Sequence, residues 1–160
     1  MRWFAVAITA ILSSCTTIQN YRTLEQPQNQ TLTASVGGTI FRLNRTSDLP
    51  NVLGKADLFG GKVSKGYAEL KFLGVNEKGE LVLQVIDVNL SSSETTMDRY
   101  RPRPAVDVHQ SVNIGTTSTP ESTTFAFDPK KQSELVVAGI KVRLVDVQPY
   151  SVSYVVQDSQ

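Results

Sequence analysis

The stretch GYAELKFLGVNEKGELVLQVIDVNL, residues 66–90, decides the fold class. In its first half apolar and charged residues alternate, and in a strand this period of two sends one set to a core and the other to water. The expected inward residues are Ala68, Leu70 and Phe72, and the expected outward residues are Glu69 and Lys71. The turn NEKG at 76–79 ends in a glycine that supplies the positive φ of a short loop, so residues 66–90 are predicted to form a β-hairpin.

The same period of two recurs through most of the chain after residue 30, and windows with a helical period are scarce. Further strands are predicted at 39–45, 106–114, 123–127 and 140–147. Near the C-terminus apolar residues alternate with serines, which indicates a half-buried strand; these apolar residues are Tyr150, Val152, Tyr154 and Val156. Residues 31–160 are therefore predicted to form one all-β domain, either an antiparallel β-sandwich or a small barrel.

Two of the predicted strands contain similar segments, LQVIDVN at 83–89 and VRLVDVQ at 142–148. In each segment two apolar residues fall side by side, so the later apolar positions move to the opposite face of the strand. A β-bulge produces this change of phase. A strand buried on both faces gives the same pattern, and the sequence leaves both interpretations open.

The first fourteen residues have a different character from the rest. Arg2 precedes an apolar run of about ten residues, which is shorter than the roughly 20 that a membrane-spanning helix needs and fits the core of a signal peptide. The run ends in Leu12-Ser13-Ser14-Cys15, and Cys15 is the only cysteine of the chain. A buried N-terminal helix is the alternative, but it would have to pass directly into a long polar stretch.

The tetrapeptide Leu12–Cys15 resembles the lipobox of bacterial lipoproteins. In that family the cysteine thiol receives a diacylglyceryl group, the preceding residues are removed, and acyl chains such as palmitate hold the protein on its membrane. The resemblance implies a cleaved signal peptide over 1–14 and lipidation of Cys15. Thr16 stands where an aspartate would favour the inner membrane in enteric bacteria, so the resemblance implies a lipid-anchored protein of the cell envelope, at the outer membrane and facing the periplasm.

The segment TTIQNYRTLEQPQNQ at 16–30 is polar and amide-rich and shows neither strand nor helix period. Together with Cys15 it is predicted to be a flexible tether between the membrane and the folded domain, over residues 15–30. The alternative is an ordered N-terminal arm that packs on the domain.

Composition narrows the partners and the chemistry. The chain has 16 basic and 15 acidic residues, which gives no electrostatic argument for binding nucleic acid. With its only cysteine committed to lipid, it has no intrachain disulfide, no cysteine-based zinc site and no cysteine nucleophile. The predicted partners are therefore the membrane, through the anchor, and another envelope protein.

A long connection at 46–65, TSDLPNVLGKADLFGGKVSK, carries apolar side chains among prolines and glycines. These candidate binding residues are Leu49, Val52, Leu53, Leu58 and Phe59. Apolar side chains in an irregular segment either pack into the domain or remain exposed, where a partner can bind them. The functional alternative is a docking loop for a peptide, a lipid or another envelope protein.

A second connection at 91–104, SSSETTMDRYRPRP, ends with Arg99, Arg101 and Arg103 at a spacing of two. In an extended backbone these guanidinium groups share one side and form a candidate site for an anion or an acidic partner. A solvated cationic loop is the alternative. The Ser/Thr-rich segment 115–124 is predicted to be a loop.

The candidate catalytic and metal sites each lack a necessary part. His109, flanked by Asp107 and Ser111, suggests a hydrolase triad, but strand neighbours on one face lie nearly 7 Å apart and the chain has no Gly-x-Ser-x-Gly motif. A single histidine and one lipidated cysteine cannot form a zinc tetrad. Ser92 stands where a calcium loop from Asp87 needs glycine.

The remaining catalytic motifs fail for similar reasons. The sequence GGK at 60–62 resembles part of a phosphate-binding loop, but Val63 follows it where such a loop needs Ser or Thr to bind magnesium. Paired carboxylates such as Glu94 and Asp98 lie in a polar loop, where nothing apolar would raise a pKa. The sequence therefore predicts no catalytic, cofactor or metal residues, and no enzyme.

These observations favour a non-catalytic binding or assembly module of the cell envelope, held at the membrane by lipid. A carrier of a lipid or a small hydrophobic ligand is the alternative function. A hydrolase that uses His109 is less favoured than either.

Overall fold

A computed structural model describes residues 17–100 and 115–159, and within these ranges the chain forms nine strands and one short helix. The strands are β1 Asn20–Leu24, β2 Thr31–Ser35, β3 Thr39–Asp48, β4 Lys62–Val75, β5 Leu81–Ser92, β6 Thr116–Phe127, β7 Glu134–Val137, β8 Ile140–Gln148 and β9 Ser151–Asp158, and the helix is α1 Thr96–Tyr100. The predicted all-β fold class is confirmed.

The strands form two antiparallel sheets. The larger sheet has the order β1-β3-β4-β5-β6, and the smaller one has the order β2-β9-β8-β7. Their apolar faces share one core, so the architecture is a sandwich, and the described strands do not close into a barrel. The predicted strand at 106–114 lies outside the described residues.

The predicted hairpin is confirmed as β4, its turn and β5. Phe72 pairs with Leu83, and the predicted inward residues are all buried: Ala68, Leu70 and Phe72. In the turn the side-chain oxygen of Asn76 accepts hydrogen bonds from the N–H groups of Lys78 and Glu80, both at 3.0 Å. Gly79 has φ +79°, as the turn chemistry requires.

Glu69 departs from the prediction, because it is buried instead of facing water. It lies on the middle strand of the larger sheet, where Arg42 on β3 and Ile86 on β5 flank it in register. The Thr39 hydroxyl donates a hydrogen bond of 2.5 Å to its carboxylate, and the Lys71 amine lies 3.8 Å away. Long neighbours on both sides therefore cover a carboxylate that alternation alone assigns to solvent.

The core lies between the two sheets. Its fully buried side chains come from both sheets and include Phe41, Phe72, Leu83, Val142 and Val156. Burial of each such side chain contributes about 1.5–3 kcal/mol. The two sheets are thus held together by apolar side chains that both contribute to one core.

The change of phase at 142–148 is a β-bulge, and the one at 83–89 is not. In β8 the register shifts between Leu144 and Asp146, so Val145 is the extra residue. Residues 83–89 pair continuously with both neighbouring strands, and the adjacent apolar residues there are half-buried. In β5 the pattern therefore reflects a strand partly covered on both faces.

The flexible tether predicted over 15–30 is wrong for its middle part. Asn20–Leu24 is β1, which pairs antiparallel with β3 at the edge of the larger sheet. Leu24 packs against the core, and the side chain of Gln26 accepts a hydrogen bond of 2.7 Å from the N–H of Arg42. An edge strand needs few apolar residues, so polar composition concealed it.

Two further expectations are wrong in detail. The predicted loop at 115–124 belongs almost entirely to β6, which pairs with β5 along its whole length. Residues 116–124 of β6 are Ser/Thr-rich and exposed on both faces. Main-chain pairing with a long neighbour is enough to hold an edge strand that buries little. Tyr150, predicted on a half-buried strand, lies in the turn before β9 and is 80% exposed.

One glycine is required by close packing. Gly66 on β4 has φ +106°, and a Cβ atom there would lie 1.7 Å from the carbonyl oxygen of Val88 on β5. The same Val88 oxygen accepts a hydrogen bond of 3.0 Å from the guanidinium of Arg45, which also pairs with the Asp87 carboxylate. Gly66 thus permits the contact that joins β3, β4 and β5 at this end of the sheet.

Candidate functional site

The connection between β3 and β4 is an ordered loop. Leu49 donates a hydrogen bond of 2.8 Å to the Gly61 carbonyl, and Asp57 donates one of 2.8 Å to the Leu49 carbonyl. Pro50 and Ala56 form a β-bridge between these bonds. Leu49 is completely buried, so its assignment as a binding residue is wrong: its side chain holds the loop on the sheet.

The other four candidate residues of this loop face solvent. Leu58 is 87% exposed, Phe59 is 77% exposed and Leu53 is 78% exposed, and Val52 is exposed as well. The loop therefore has two parts: a buried part at Leu49, which we call its foot, and an exposed apolar part, which we call its tip and which consists of Val52, Leu53, Leu58 and Phe59.

Helix α1 adds two more exposed apolar side chains at the same end of the domain, Met97 and Tyr100. The ring of Tyr100 meets that of Phe59 edge-to-face, with centroids 5.4 Å apart. We call this set of exposed side chains the apolar patch: Val52, Leu53, Leu58, Phe59, Met97 and Tyr100. Six exposed apolar side chains in one loop and the helix bonded to it differ from the single, scattered apolar residues that are normal on a protein surface.

The helix is fixed to the loop by polar contacts. The N–H of Thr96 donates to the Pro50 carbonyl at 2.9 Å, and its hydroxyl lies 3.3 Å from the Asp57 carboxylate. At the start of the helix, the Asp98 carboxylate accepts hydrogen bonds from the N–H and the hydroxyl of Thr95, at 2.9 and 2.7 Å. The two halves of the apolar patch are therefore held in one arrangement.

Arg99, predicted to bind an anion, is already paired within the chain. Its guanidinium makes two hydrogen bonds to the Glu94 carboxylate, at 2.7 and 2.8 Å, and a third to the Lys62 carbonyl at 2.8 Å. This bidentate pair holds the pKa of Glu94 below its ordinary value. Arg99 thus fastens the helix to β4, and Arg101 and Arg103 lie outside the described residues.

A polar cluster lies beneath the patch, where β3 ends and β4 begins. The Asp48 carboxylate pairs with the Lys62 amine and accepts hydrogen bonds from the Gln19 N–H at 2.8 Å and the Tyr21 hydroxyl at 3.0 Å. The Lys62 amine also lies 3.5 Å from the centroid of the Tyr21 ring. These contacts join the start of β1 to the base of the loop.

The two charged groups of this cluster shift each other's pKa. The hydrogen bond from Lys62 and then that from the Gln19 N–H hold the pKa of Asp48 below 3.8. Burial lowers the pKa of Lys62, but its contacts with Asp48 and Tyr21 outweigh burial and raise it above 10.5. Both groups are therefore charged across the physiological range, which suits a structural role better than acid–base catalysis.

The position of β1 also shows where the N-terminal segment leaves the domain. Gln19 is hydrogen-bonded to Asp48, and Asp48 is directly followed by the loop. Cys15 precedes Gln19 by four residues and lies outside the described residues, as do His109, Asp107 and Ser111. The chain therefore leaves the domain at the end that carries the apolar patch.

A groove lies at the opposite end of the sandwich, beside the β4–β5 turn. Its volume is about 530 Å³, within the range of small-ligand sites, and Val75, Lys130, Val147 and Pro149 contribute to its walls. It is open to solvent rather than enclosed. Among residues 17–100 and 115–159, no three His, Cys, Asp or Glu side chains lie together as metal ligands would.

Sequence reasoning missed part of this site. Met97 and Tyr100 lie in a segment that composition marks as a polar connection, and Tyr21 lies in the supposed tether. The signal that was present is the capping pattern of Thr95 and Asp98, which marks a helix start three residues apart. No helix within the described ranges is long and apolar enough to cross a membrane.

Comparison of the chain with protein-family models, with curated proteins and with solved structures finds no match.

Proposed function

We propose that the protein is a lipid-anchored, non-catalytic binding or assembly module of the cell envelope. In this proposal Cys15 carries the lipid, residues 1–14 are removed, and the β-sandwich faces the periplasm from the outer membrane. Its partners are the membrane and another component of the envelope. The Leu12–Cys15 sequence, the short apolar run before it and the basic Arg2 support the anchor.

One structural observation carries the binding role. The loop and the helix that carry the apolar patch are ordered by internal hydrogen bonds. This ordered structure holds large apolar side chains in contact with water. A domain that needed only to be stable would gain by burying Leu58 or Phe59. Exposed, ordered apolar side chains are typical of surfaces that contact a partner or a membrane.

The described polar groups support a non-catalytic role. In the charged pairs Asp48–Lys62 and Glu94–Arg99, each partner shifts the pKa of the other so that both stay charged. This is the opposite of what a general acid or base near neutral pH requires.

Simultaneous replacement of Asp107, His109 and Ser111 is expected to leave complementation of a deletion strain intact. Loss of complementation, with normal protein abundance, would instead support the hydrolase.

The test of the anchor is Cys15→Ala in cells fed a radiolabelled or alkyne-tagged fatty acid. The wild-type protein is expected to be labelled and to sediment with membranes, and Cys15→Ala is expected to lose the label. Ser14→Ala is the matched control, because it changes the neighbouring small residue and keeps the thiol. A labelled, membrane-bound Cys15→Ala protein would contradict the proposal.

A ligand carrier is the second candidate, and the groove beside the β4–β5 turn is the observation that favours it. A carrier purified from cells under native conditions should bring a bound small molecule that native mass spectrometry detects. A binding or assembly module should not.

A further inference from the structure

We infer that the apolar patch rests on the lipid bilayer to which Cys15 is anchored. The inference depends on the proposed lipidation and adds to it the surface that the anchored domain turns toward the membrane. The bilayer is therefore assigned as the occupant of the patch.

The chain that connects Cys15 to the domain is short. Gln19 is fixed to Asp48 by hydrogen bonds of 2.8 and 3.0 Å, so only three residues, Thr16, Thr17 and Ile18, separate the lipidated residue from the ordered domain, instead of the fifteen predicted from the sequence. Four extended residues span at most about 14 Å. A domain held this close cannot stand well clear of the membrane.

The connecting chain enters the domain at the end that carries the apolar patch. Asp48 and Lys62 are register partners, and Phe59 precedes Lys62 by three residues, a reach of at most about 11 Å. The patch and the point of attachment therefore lie at the same end of the sandwich. The groove and Tyr150 lie at the other end, because Pro149 lines the groove together with residues of the β4–β5 turn.

The side chains of the patch have the chemistry of a membrane interface. The patch combines aliphatic side chains with two aromatic rings, and Tyr100 belongs to the residue types that favour the boundary between headgroups and acyl chains. Lys55 is exposed between Leu53 and Leu58, where its amine can meet a lipid phosphate while the flanking side chains enter the apolar layer. Such a surface suits a membrane interface better than open water.

Two other occupants compete for the patch. Residues 101–114 follow Tyr100 directly and contain apolar side chains of their own, and an envelope protein could also cover the site. Each competitor would shield the patch from water without bringing it near acyl chains. This difference allows a single spectroscopic experiment to separate them from the bilayer.

The chain offers a simple optical probe. Its only tryptophan is Trp3, which lies in the proposed signal peptide, so the mature protein has none. Phe59→Trp then places a single indole in the patch at an exposed position. Tyr150→Trp is the matched control, an aromatic exchange at a residue that is 80% exposed at the far end of the domain.

The experiment uses the full-length gene products, purified in lipidated form and reconstituted into vesicles of phosphatidylethanolamine and phosphatidylglycerol, with or without brominated acyl chains. Phe59→Trp is expected to emit at shorter wavelength than in detergent-free buffer, to lose intensity to brominated lipid and to resist iodide. Tyr150→Trp is expected to show water-like emission, no bromine quenching and full quenching by iodide.

Three outcomes overturn the inference. Phe59→Trp that is quenched by iodide and not by bromine would show a patch in water. Phe59→Trp that resists both quenchers would assign the patch to residues 101–114 or, if other proteins copurify, to one of them. Equal bromine quenching of both variants would show that the domain has no preferred orientation.

Failure of the proposed anchor has a different signature. The intact mass of each variant, measured before reconstitution, reports whether Cys15 carries acyl groups. Unacylated protein would remove both the anchor and the inference drawn from it. Acylated protein with a water-exposed Phe59→Trp would remove the inference and leave the anchor in place.

Discussion

Gln19 and Asp48 are joined by two hydrogen bonds: the Asp48 N–H donates to the Gln19 carbonyl at 3.0 Å, and the Gln19 N–H donates to the Asp48 carboxylate at 2.8 Å. The second bond uses a side chain that also holds Lys62 and Tyr21. One carboxylate thus ties β1, β3 and β4 together at the end of the domain that carries the apolar patch. The middle part of the expected tether, Asn20–Leu24, is therefore a strand of the larger sheet.

The first prediction concerns the pH dependence of this tie. The pKa of Asp48 is held below 3.8 chiefly by its hydrogen bond with Lys62. A carboxylate whose pKa is lower in the folded than in the unfolded protein stabilises the folded state at pH values above the unfolded pKa. This stabilisation is lost as the pH falls through the pKa of the folded state. Asp48→Asn is therefore expected to be less stable than wild type near neutral pH. The difference should shrink as the pH falls below 3.8.

Urea unfolding of both proteins across this pH range measures the difference. Comparing two proteins is necessary, because Glu94 and Asp128 also have lowered pKa values and weaken both proteins in acid. A difference that stays constant into acid would show that Asp48 makes no charge-dependent contribution.

The second prediction concerns Gly66. A Cβ atom there would overlap the Val88 carbonyl at 1.7 Å, and φ is +106°, so Gly66→Ala must displace β4 from β5. We expect a loss of about 3 kcal/mol or more in the free energy of unfolding. The measurement is urea denaturation at equilibrium.

Gly79→Ala is the control for Gly66→Ala. Gly79 also has a positive φ, +79°, but nothing lies within 4 Å of the added Cβ atom. Its cost should be the backbone strain alone, about 1–2 kcal/mol. Equal losses in the two variants would mean that the contact with Val88 does not constrain the sheet.

The third prediction separates the foot of the loop from its tip. Leu49 is fully buried and Leu53 is 78% exposed, although both are leucines of one loop. Leu49→Ala is expected to cost about 2–5 kcal/mol, and Leu53→Ala is expected to change stability by no more than about 0.5 kcal/mol. Thermal or urea unfolding of the two variants is sufficient to test this.

The same pair of variants should behave in the reverse order at the membrane. If the apolar patch contacts lipid, the indole of a Leu58→Trp variant should be protected from iodide in vesicles. Adding Leu53→Ala and Phe59→Ser to this variant should allow iodide to reach the indole, whereas adding Leu49→Ala should leave it protected while the domain stays folded. A destabilised Leu53→Ala protein would show that the exposed tip belongs to the core after all.

The alternation of residues carried most of the fold prediction. Ala68, Leu70 and Phe72 face the core because a period of two and a glycine turn leave one arrangement for a hairpin. Glu69 did not follow the pattern, because its burial depends on Arg42 and Ile86 on neighbouring strands. Information of that kind lies in strand order, which the alternation of a single segment does not contain.

Edge strands were the least predictable elements. β1 and most of β6 are held mainly by main-chain hydrogen bonds to a neighbour, so most of their side chains are polar and exposed. Only the end of β6, where Phe125 and Phe127 pack against the core, has the apolar pattern that predicted a strand at 123–127. The candidate site was predictable only in part. The exposed apolar residues of the loop were identified from the sequence, but Leu49 was assigned with them, because its burial depends on how the loop packs on the sheet.

The measurement that tests the central claim most directly is the mass of the N-terminal peptide of the protein isolated from whole cells in detergent. We predict a peptide that begins at Cys15 and carries a diacylglyceryl group on its sulfur, with no peptide from residues 1–14. A peptide that begins at Met1 and contains an unmodified Cys15 thiol would contradict the account.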